Sequence, residues 1–333
     1  MKEIAKIFLP RFILKILMYI KFKLDLLLVF FYDYSKYLNS SFGNPKNNSE
    51  EQLRNKITLY YHALEKGLSH SNIRLGFGQY ALNELFETLE EYVQKGFSIE
   101  DIRFKTGIST IQEYINLHNL KGQPTTDLSS RLSQLANNIT KSGGSLIINK
   151  NDYVNGSDSS FADLVNSRHS VRSFSNETVD LDLINQAINL SMKTPSACNR
   201  QPWNVYVIKN NELRKKILKV QGGLNGFGEN MDSLLMITTD NSAYGSANER
   251  NAGYIDGGLF SMTLLYSLHN LGLATCMLNA SFNINKYKSI GKLLDLKKGE
   301  SIIMFIGVGH MPTSVTVTKS QRDNFRDITK YYI

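Results

Sequence analysis

The chain has 333 residues, of which 42% are apolar and 20% are charged, and its formal net charge is +8. This composition predicts a globular protein of about two domains and excludes long disordered stretches as the default. The basic charge is spread along the chain, without zinc-ligand spacing or a basic helix with interleaved aromatics, so nucleic acid is not an expected partner.

Residues 1–36 form an apolar N-terminal segment that charged residues interrupt, among them Arg11, Lys15 and Lys21. No stretch reaches the roughly 20 apolar residues that a membrane-spanning helix needs, and no signal-peptide cleavage pattern follows. Cations mixed with aromatic and aliphatic side chains over residues 1–34 suit a helix in a membrane interface. The alternative, a helix packed on the protein's own body, is favoured because apolar helix faces are usually core.

Residues 37–150 are predicted to be a helical domain and its linker. Apolar residues recur at helical spacing in two runs, 53–64 and 82–93. At the end of the first run, His62, Glu65 and Lys66 fall within one helical turn. They could line a site, although a capped helix end is the favoured interpretation. Glycine, serine and asparagine dominate the ends of residues 141–160, which predicts a domain boundary there, with 146–148 as an isolated strand.

Residues 151–333 form the second predicted domain, in which helices alternate with strands. The expected helices cover residues 161–167, 181–192 and 251–271, and the expected strands cover residues 203–209, 233–239, 274–278 and 301–308. The helix at 251–271 is apolar on nearly every side and contains several small residues. A helix of that kind must be buried all round, and a subunit interface is the simplest way to bury it.

Four segments of the second domain could carry chemistry. Residues 168–172 (RHSVR) and 319–322 (KSQR) offer cations that could grip a phosphate, although both could also be solvated surface. Residues 195–203 (PSACNRQPW) offer amide side chains that could form hydrogen bonds with the polar edge of a flat heterocycle. The alternative is an ordinary capped loop. Residues 274–280 (ATCMLNA) end a strand, where free backbone groups could meet a ligand. The glycine-rich residues 222–228 lack the strand-then-helix order of a dinucleotide-binding loop.

Together, and in this order, these segments resemble the nitroreductase family of flavoenzymes. The resemblance covers about residue 161 to the end and implies an α+β fold: a mixed, mainly antiparallel sheet flanked by helices, here preceded by an all-helical region. It also implies a homodimer with FMN at the subunit interface. One departure is clear, because well-studied members carry a Pro-x-Glu-Gly turn where this chain has residues 277–280 (MLNA).

The resemblance implies a set of cofactor-binding residues from all four segments and from the glycine-rich stretch. Loop residues 195–201 would approach from the partner subunit, and no side chain would act as a catalytic acid or base, because FMN carries the chemistry. No metal site is implied. The implied residues are Arg168, His169, Ser170, Arg172, Pro195, Ser196, Ala197, Asn199, Gln201, Asn225, Met277, Leu278, Asn279, Lys319 and Arg322.

The function implied by the resemblance is electron transfer from NAD(P)H to a small organic acceptor, such as a nitroaromatic, a quinone or an activated alkene, in ping-pong order. Two alternatives stay open: another flavin reaction, such as dehydrogenation or dehalogenation, and a non-catalytic membrane-associated module that has lost flavin. The two distant cysteines, Cys198 and Cys276, argue against a disulfide framework. We therefore expect a cytoplasmic protein, with peripheral contact to the inner face of the membrane if residues 1–34 bind lipid.

Overall fold

The computed structural model describes residues 10–46, 48–136, 141–153, 160–224, 227–228 and 230–333. Over those ranges the chain is helical up to the first strand and mixed afterwards, so the predicted α+β class is confirmed. The helices before the first strand are α1 (Arg11–Ser40), α2 (Glu50–Leu68), α3 (Gln79–Gln94), α4 (Ile102–Leu120) and α5 (Thr126–Leu135).

Strands and helices alternate in the rest of the described chain. The strands are β1 (Ser145–Asn149), β2 (Trp203–Ile208), β3 (Ser233–Asp240), β4 (Ala274–Asn279), β5 (Glu300–Gly309) and β6 (Ser314–Thr318). The helices are α6 (Phe161–Ser167), α7 (Leu181–Ser191), α8 (Asn211–Gln221), α9 (Ala252–Asn270), α10 (Ile284–Leu294) and α11 (Phe325–Ile328). The helices and strands that the sequence predicts in this half are therefore present, while α8, α10 and β6 were not anticipated.

The main sheet has four strands in the order β2-β3-β5-β4, and every neighbouring pair is antiparallel. Strand β3, one of the two central strands, is buried along almost its whole length. One apolar cluster packs α7 and α9 against one face, where the Trp203 and Phe260 rings stack at 4.7 Å between centroids. A second cluster packs α8 and α10 against the other face. Because both faces of β3 are covered, the middle of the strand, residues 234–237, is apolar without alternation.

The helical region has its own apolar core, built from residues that α2, α3, α4 and α5 turn inward. The start of α4 is capped by a side chain. The helix begins at Ile102 because the Asp101 carboxylate accepts hydrogen bonds from the backbone N–H groups of Arg103 and Phe104. Such a cap satisfies amides that have no partner within the helix.

Strand β1, predicted to be isolated, pairs with β6 in an antiparallel two-stranded sheet. The turn before it is tied to the helical region by side chains. The fully buried Glu65 accepts from the Gly144 amide at 3.1 Å, and Glu113 accepts from the Ser145 amide at 3.0 Å. The described beginning of the link between the two predicted domains, residues 143–149, is thus packed against the helical region and β6.

Helix α1 has no buried residue, and it contacts the rest of the chain through its C-terminal part, where the Ser40 carbonyl accepts from the Gln52 side chain at 3.0 Å. Its exposed side chains include Phe12, Phe22, Leu27 and Phe31. A forked ion pair joins its C-terminal part to the C-terminal half, with Arg250 Nε and Nη2 at 2.6 and 2.7 Å from the two Asp33 oxygens. Within the described ranges, no helix combines the length and the apolar character that crossing a bilayer requires.

Candidate functional site

The basic segment 168–172 lies against the edge strand of the main sheet. Helix α6 ends at Ser167, and the chain then runs extended beside β4, where the Val171 amide donates to the Thr275 carbonyl at 2.9 Å. Ser170 forms an isolated parallel bridge with the same threonine. Arg168 and Arg172 are half-buried, and neither forms an ion pair within the described residues. Two half-buried guanidinium groups without a carboxylate partner define a site for an anion.

Buried polar atoms without a partner lie next to Arg168. Tyr153 packs edge-on against His269, with ring centroids 4.3 Å apart. His269 Nδ1 and Thr275 Oγ1 are buried and form no hydrogen bond within the described residues, and the Tyr153 hydroxyl lies beside the Thr275 backbone. Burial raises the pKa of Tyr153, with the charge of Arg168 opposing that rise. Buried polar atoms of this kind are rare in folded proteins and indicate a place that a ligand or its water shell satisfies.

His269 is neutral at physiological pH. Burial, followed by the charges of Arg168 and His169, lowers its pKa from 6.5 to about 4. Its Nε2 atom lies 2.9 Å from the Ser167 hydroxyl, which fixes the ring beneath the start of the basic segment. A neutral imidazole adds no positive charge of its own to this site.

The C-terminal cations are divided between two places. Burial, then the charges of Arg168 and Arg322, lowers the pKa of His169, so Arg322 is within electrostatic range of the basic segment. Lys319 instead donates from Nζ to the Gly143 carbonyl at 2.8 Å, and its backbone amide donates to the Gly144 carbonyl. Arg322 is exposed and donates from Nη1 to the Ser320 carbonyl, whereas Lys319 holds the turn that precedes β1.

The amide-bearing loop 195–202 has a strained backbone. Cys198, Asn199 and Gln201 have φ values of 51°, 56° and 46°, in the left-handed region that side chains other than glycine rarely adopt. Asn199 and Gln201 are exposed, as is Pro195. Clustered strain in three residues costs free energy, and such clusters are typical of ligand-binding segments.

Specific hydrogen bonds hold this loop in place. The Ala197 amide donates to both oxygens of Asp256, at 3.2 and 3.3 Å, and the Gln201 amide donates to the Ser196 hydroxyl at 3.0 Å. Asp256 is buried on α9 and also accepts from the Tyr244 hydroxyl at 2.8 Å. These hydrogen bonds within one chain stabilise the strained conformation of the loop.

The loop and the basic segment lie at opposite ends of α9 within one chain. The loop is anchored to Asp256, near the beginning of the helix, and the basic segment adjoins His269 at its end. At 1.5 Å per residue these anchors are roughly 20 Å apart along the helix. A single chain therefore does not bring the two predicted parts of the cofactor site together.

The remaining predicted residues end strand β4. Met277 is half-buried, Leu278 is buried and Asn279 is exposed. The Asn279 carbonyl accepts from the Gln221 side chain at 3.2 Å, so the turn after β4 is fixed to the end of α8. Asn225, the predicted contact for the pyrimidine edge of the flavin, lies outside the described residues.

The sequence did not predict that Lys66, Tyr153 or His269 would lie near the basic segment. Lys66 comes from α2 in the helical region, and burial together with the charge of Arg172 lowers its pKa. The only signal in the sequence was the segment 61–68, in which His62, Glu65 and Lys66 share one turn. Tyr153 and His269 had no recognisable pattern, because their proximity to Arg168 arises only from tertiary packing.

Fold and site together define an α+β protein with an anion site beside the edge strand of an antiparallel sheet. The model of the nitroreductase family matches residues 165–225, the stretch that contains both the basic segment and the amide loop. Residues 165–225 are therefore similar to the nitroreductase family, as the motifs in this stretch predicted.

Two curated relatives are similar over part of this stretch. The chain is 37% identical to human iodotyrosine deiodinase 1 over 60 residues, which is 18% of this chain and 21% of that protein. It is 39% identical to the iodotyrosine deiodinase of Hydra vulgaris over 56 residues, 17% of this chain and 21% of that protein. The chain thus matches about a fifth of the length of these relatives.

Among solved structures, a nitroreductase with bound FMN from Desulfitobacterium hafniense DCB-2 is 21% identical. The likeness covers 52% of this chain and 97% of that one, with a TM-score of 0.40. A nitroreductase family protein from Clostridium difficile 630 is 18% identical over 53% of this chain and 99% of that one, with a TM-score of 0.43. Likeness at these levels supports no conclusion about function.

Proposed function

We propose that this protein is an FMN-dependent oxidoreductase that takes electrons from NAD(P)H and passes them to a small organic acceptor. The observation that carries the proposal is the pair of half-buried arginines, Arg168 and Arg172, inside the segment that matches the nitroreductase family. Neither arginine has a carboxylate partner in the part of the chain that the structure describes. An anionic cofactor would supply the missing negative charge.

The residues present fit the phosphate and the polar edge of FMN. Arg168, Arg172 and Arg322 would supply positive charge, and the Ser170 hydroxyl would supply one more hydrogen bond. The buried polar atoms beside Arg168 would gain partners from the ligand or its bound water. When bound, FMN would accept a hydride from NAD(P)H and reduce a second molecule entering the same space. The protein's own contribution is to orient both molecules and to stabilise the extra negative charge.

The site requires a second copy of the chain under this proposal. The exposed face of α9 carries Tyr254, Ile255, Leu259 and Met262, a set of large apolar residues that a homodimer would bury. A two-fold partner can bring the amide loop of one copy to the basic segment of the other, which a single chain keeps apart by roughly 20 Å. Analytical ultracentrifugation of the purified protein should therefore give the mass of a dimer, and a monomer at micromolar concentration would contradict this arrangement.

The visible absorption spectrum tests the cofactor proposal directly. The purified protein should show bands near ~370 and ~450 nm that NADH or NADPH bleaches under anaerobic conditions. Replacing both arginines (Arg168→Gln with Arg172→Gln) should weaken FMN binding at least ~100-fold, because each charge-assisted contact contributes about 1.5 kcal/mol or more. The exposed Arg326→Gln should leave affinity unchanged. A colourless protein that takes up no added FMN would refute the proposal.

Reductive dehalogenation is a second candidate, favoured by the local similarity to the iodotyrosine deiodinases. Substrate choice depends on loops outside the matched stretch, so the similarity does not carry the reaction over by itself. Release of iodide from 3-iodo-L-tyrosine by the reduced protein would support this candidate. Absence of iodide release, with nitroaromatic or quinone reduction present, would favour the first.

We further propose that the protein is cytoplasmic and that α1 lies in the surface of an anionic membrane. Its apolar side chains are exposed along its length, and its cations outnumber its acids among residues 11–40. A helix with this composition binds through buried apolar area and attraction to anionic lipids. Its link to the body, Asp33 to Arg250, would place the C-terminal half close to the lipid surface.

A further inference from the structure

Lys66 lies where the helical region meets the C-terminal half. It is half-buried near the end of α2 and lines a cavity of about 700 Å³. One wall of this cavity comes from α2 and the segment after it, including His70, Arg74 and Phe77; the other comes from Gly222, Gly223 and Phe227. Its volume is that of a typical small-ligand or cofactor site.

The charged groups around this cavity are cationic. Lys66 and Arg74 line it, and the Lys286 amine lies 3.4 Å from the point that a Cβ on Gly222 would occupy. Within the described residues, no carboxylate lines the cavity. Glu65, the neighbour of Lys66 in sequence, is fully buried and accepts from the Gly144 amide, with His62 Nδ1 at 3.2 Å from its other oxygen.

The cavity adjoins the basic segment of the C-terminal half. The Arg172 carbonyl accepts from the Gly228 amide at 3.2 Å, immediately after Phe227 in the cavity wall. Lys66 lies near enough to Arg172 for the guanidinium charge to lower the pKa of the lysine, after burial, which is the larger cause. The nearby thiol of Cys276 is neutral, because burial raises its pKa, and so it does not compensate these cations.

Among the described residues, no carboxylate balances the charges of this half-buried ammonium group and the neighbouring guanidinium group, and unbalanced like charges lower the stability of a protein. Burial costs solvation free energy, and the like charges repel each other. Such an arrangement is typical of binding sites, where the ligand provides the opposite charge and the stability cost is tolerated.

We propose that Lys66 completes the anion site of the C-terminal half, so that the helical region contributes a direct contact to FMN. This inference rests on the proposed function and deepens it. Lys66 and Arg172 together bind an anionic part of the flavin nucleotide, which is the phosphate or the polar edge of the ring. The helical region is then a structural part of the cofactor site and closes it on the side of the 700 Å³ cavity.

Flavin titration of the full-length protein tests this contact. FMN and riboflavin are each titrated into protein freed of bound flavin, and flavin fluorescence gives the dissociation constants. Lys66→Gln should bind FMN at least tenfold more weakly than the unmodified protein, and Lys66→Arg, which keeps the charge, should stay within threefold. Lys56→Gln, on the same helix but outside the cavity lining, should have no effect.

The riboflavin arm locates the contact. A loss for FMN alone assigns Lys66 to the phosphate, and an equal loss for both flavins assigns it to the ring edge; either supports the inference. Thermal unfolding separates this role from a structural one, because flavin-free Lys66→Gln should melt no lower than the unmodified protein once the repulsion from Arg172 is removed.

Two other outcomes are distinguishable. If the unmodified protein binds FMN and Lys66→Gln binds both flavins as tightly as Lys56→Gln does, the inference is overturned while the proposed function stands. If the unmodified protein binds neither flavin, the proposed function itself fails, and the Lys66 contact fails with it.

Discussion

Burial of His269 should make the stability of the protein depend on pH. The side chain is fully buried, and burial, then Arg168 and His169, lowers its pKa to about 4. In the unfolded chain the imidazole takes up a proton below about pH 6.5. The unfolded state therefore binds more protons than the folded state between these values. The stabilisation is complete above pH 6.5 and is lost as the pH falls through that window towards 4.

The size of this effect follows from the two pKa values. Between pH 7.5 and pH 5 the difference in proton uptake amounts to about 2 kcal/mol of unfolding free energy, within a limit of about 3 kcal/mol at lower pH. The pKa of His169 is also lowered, by burial first, so the unmodified protein should lose somewhat more than His269 alone accounts for.

Urea unfolding at the two pH values measures this loss. His269→Gln removes the titrating group, so its stability should fall by about 2 kcal/mol less than that of the unmodified protein on going from pH 7.5 to pH 5. The comparison uses the change with pH within each variant, so an overall loss of stability in His269→Gln does not affect it. Equal pH dependence in the two proteins would refute the reasoning.

The remaining predictions concern α9 and α1. Gly257→Ala should destabilise the fold by about 1–3 kcal/mol in urea unfolding, because its Cβ would meet Ile303 at 2.7 Å. A Cβ on the neighbouring Gly258 meets nothing within 4 Å in one chain. If the partner subunit packs closely on this glycine, Gly258→Ala should weaken dimerisation in sedimentation experiments. Unchanged dimerisation would contradict a close contact at Gly258. Lys15→Gln with Lys23→Gln should reduce co-sedimentation with anionic vesicles roughly tenfold; unchanged sedimentation would exclude a charge-dependent membrane contact.

Elements with a strong apolar pattern were predictable from the sequence. Helix α9 was placed within a residue at each end, because its apolar and small residues leave no competing interpretation. Helix α8 was missed because its apolar positions are embedded in a run of charged residues, NELRKKILKVQ. Strand β6 was missed because the alternation of apolar and polar residues in SVTVT is too short to predict a strand. Its pairing with β1, which the sequence does not show, is what identifies it.

The motifs identified candidate site residues but not their spatial arrangement. Nothing in the sequence showed that Lys319 would donate to the Gly143 carbonyl, because its partner lies in a different predicted domain. The order of the segments likewise gave no distance between the amide loop and Arg168. That separation follows from the length of α9, and it is what makes a second copy necessary to the proposed site.

The helical region and the C-terminal half are joined by more than a linker. Arg103 of α4 forms a fork with Asp323, with Nε and Nη2 at 3.1 and 2.6 Å from its oxygens. Asp323 follows Arg322 directly, so this fork fixes the chain next to one of the C-terminal cations. The buried Glu65 binds the turn that Lys319 also holds. The contacts between the two regions therefore involve residues that are close in sequence to the predicted cofactor-binding residues. A substitution in the helical region should for this reason change the affinity for the proposed cofactor.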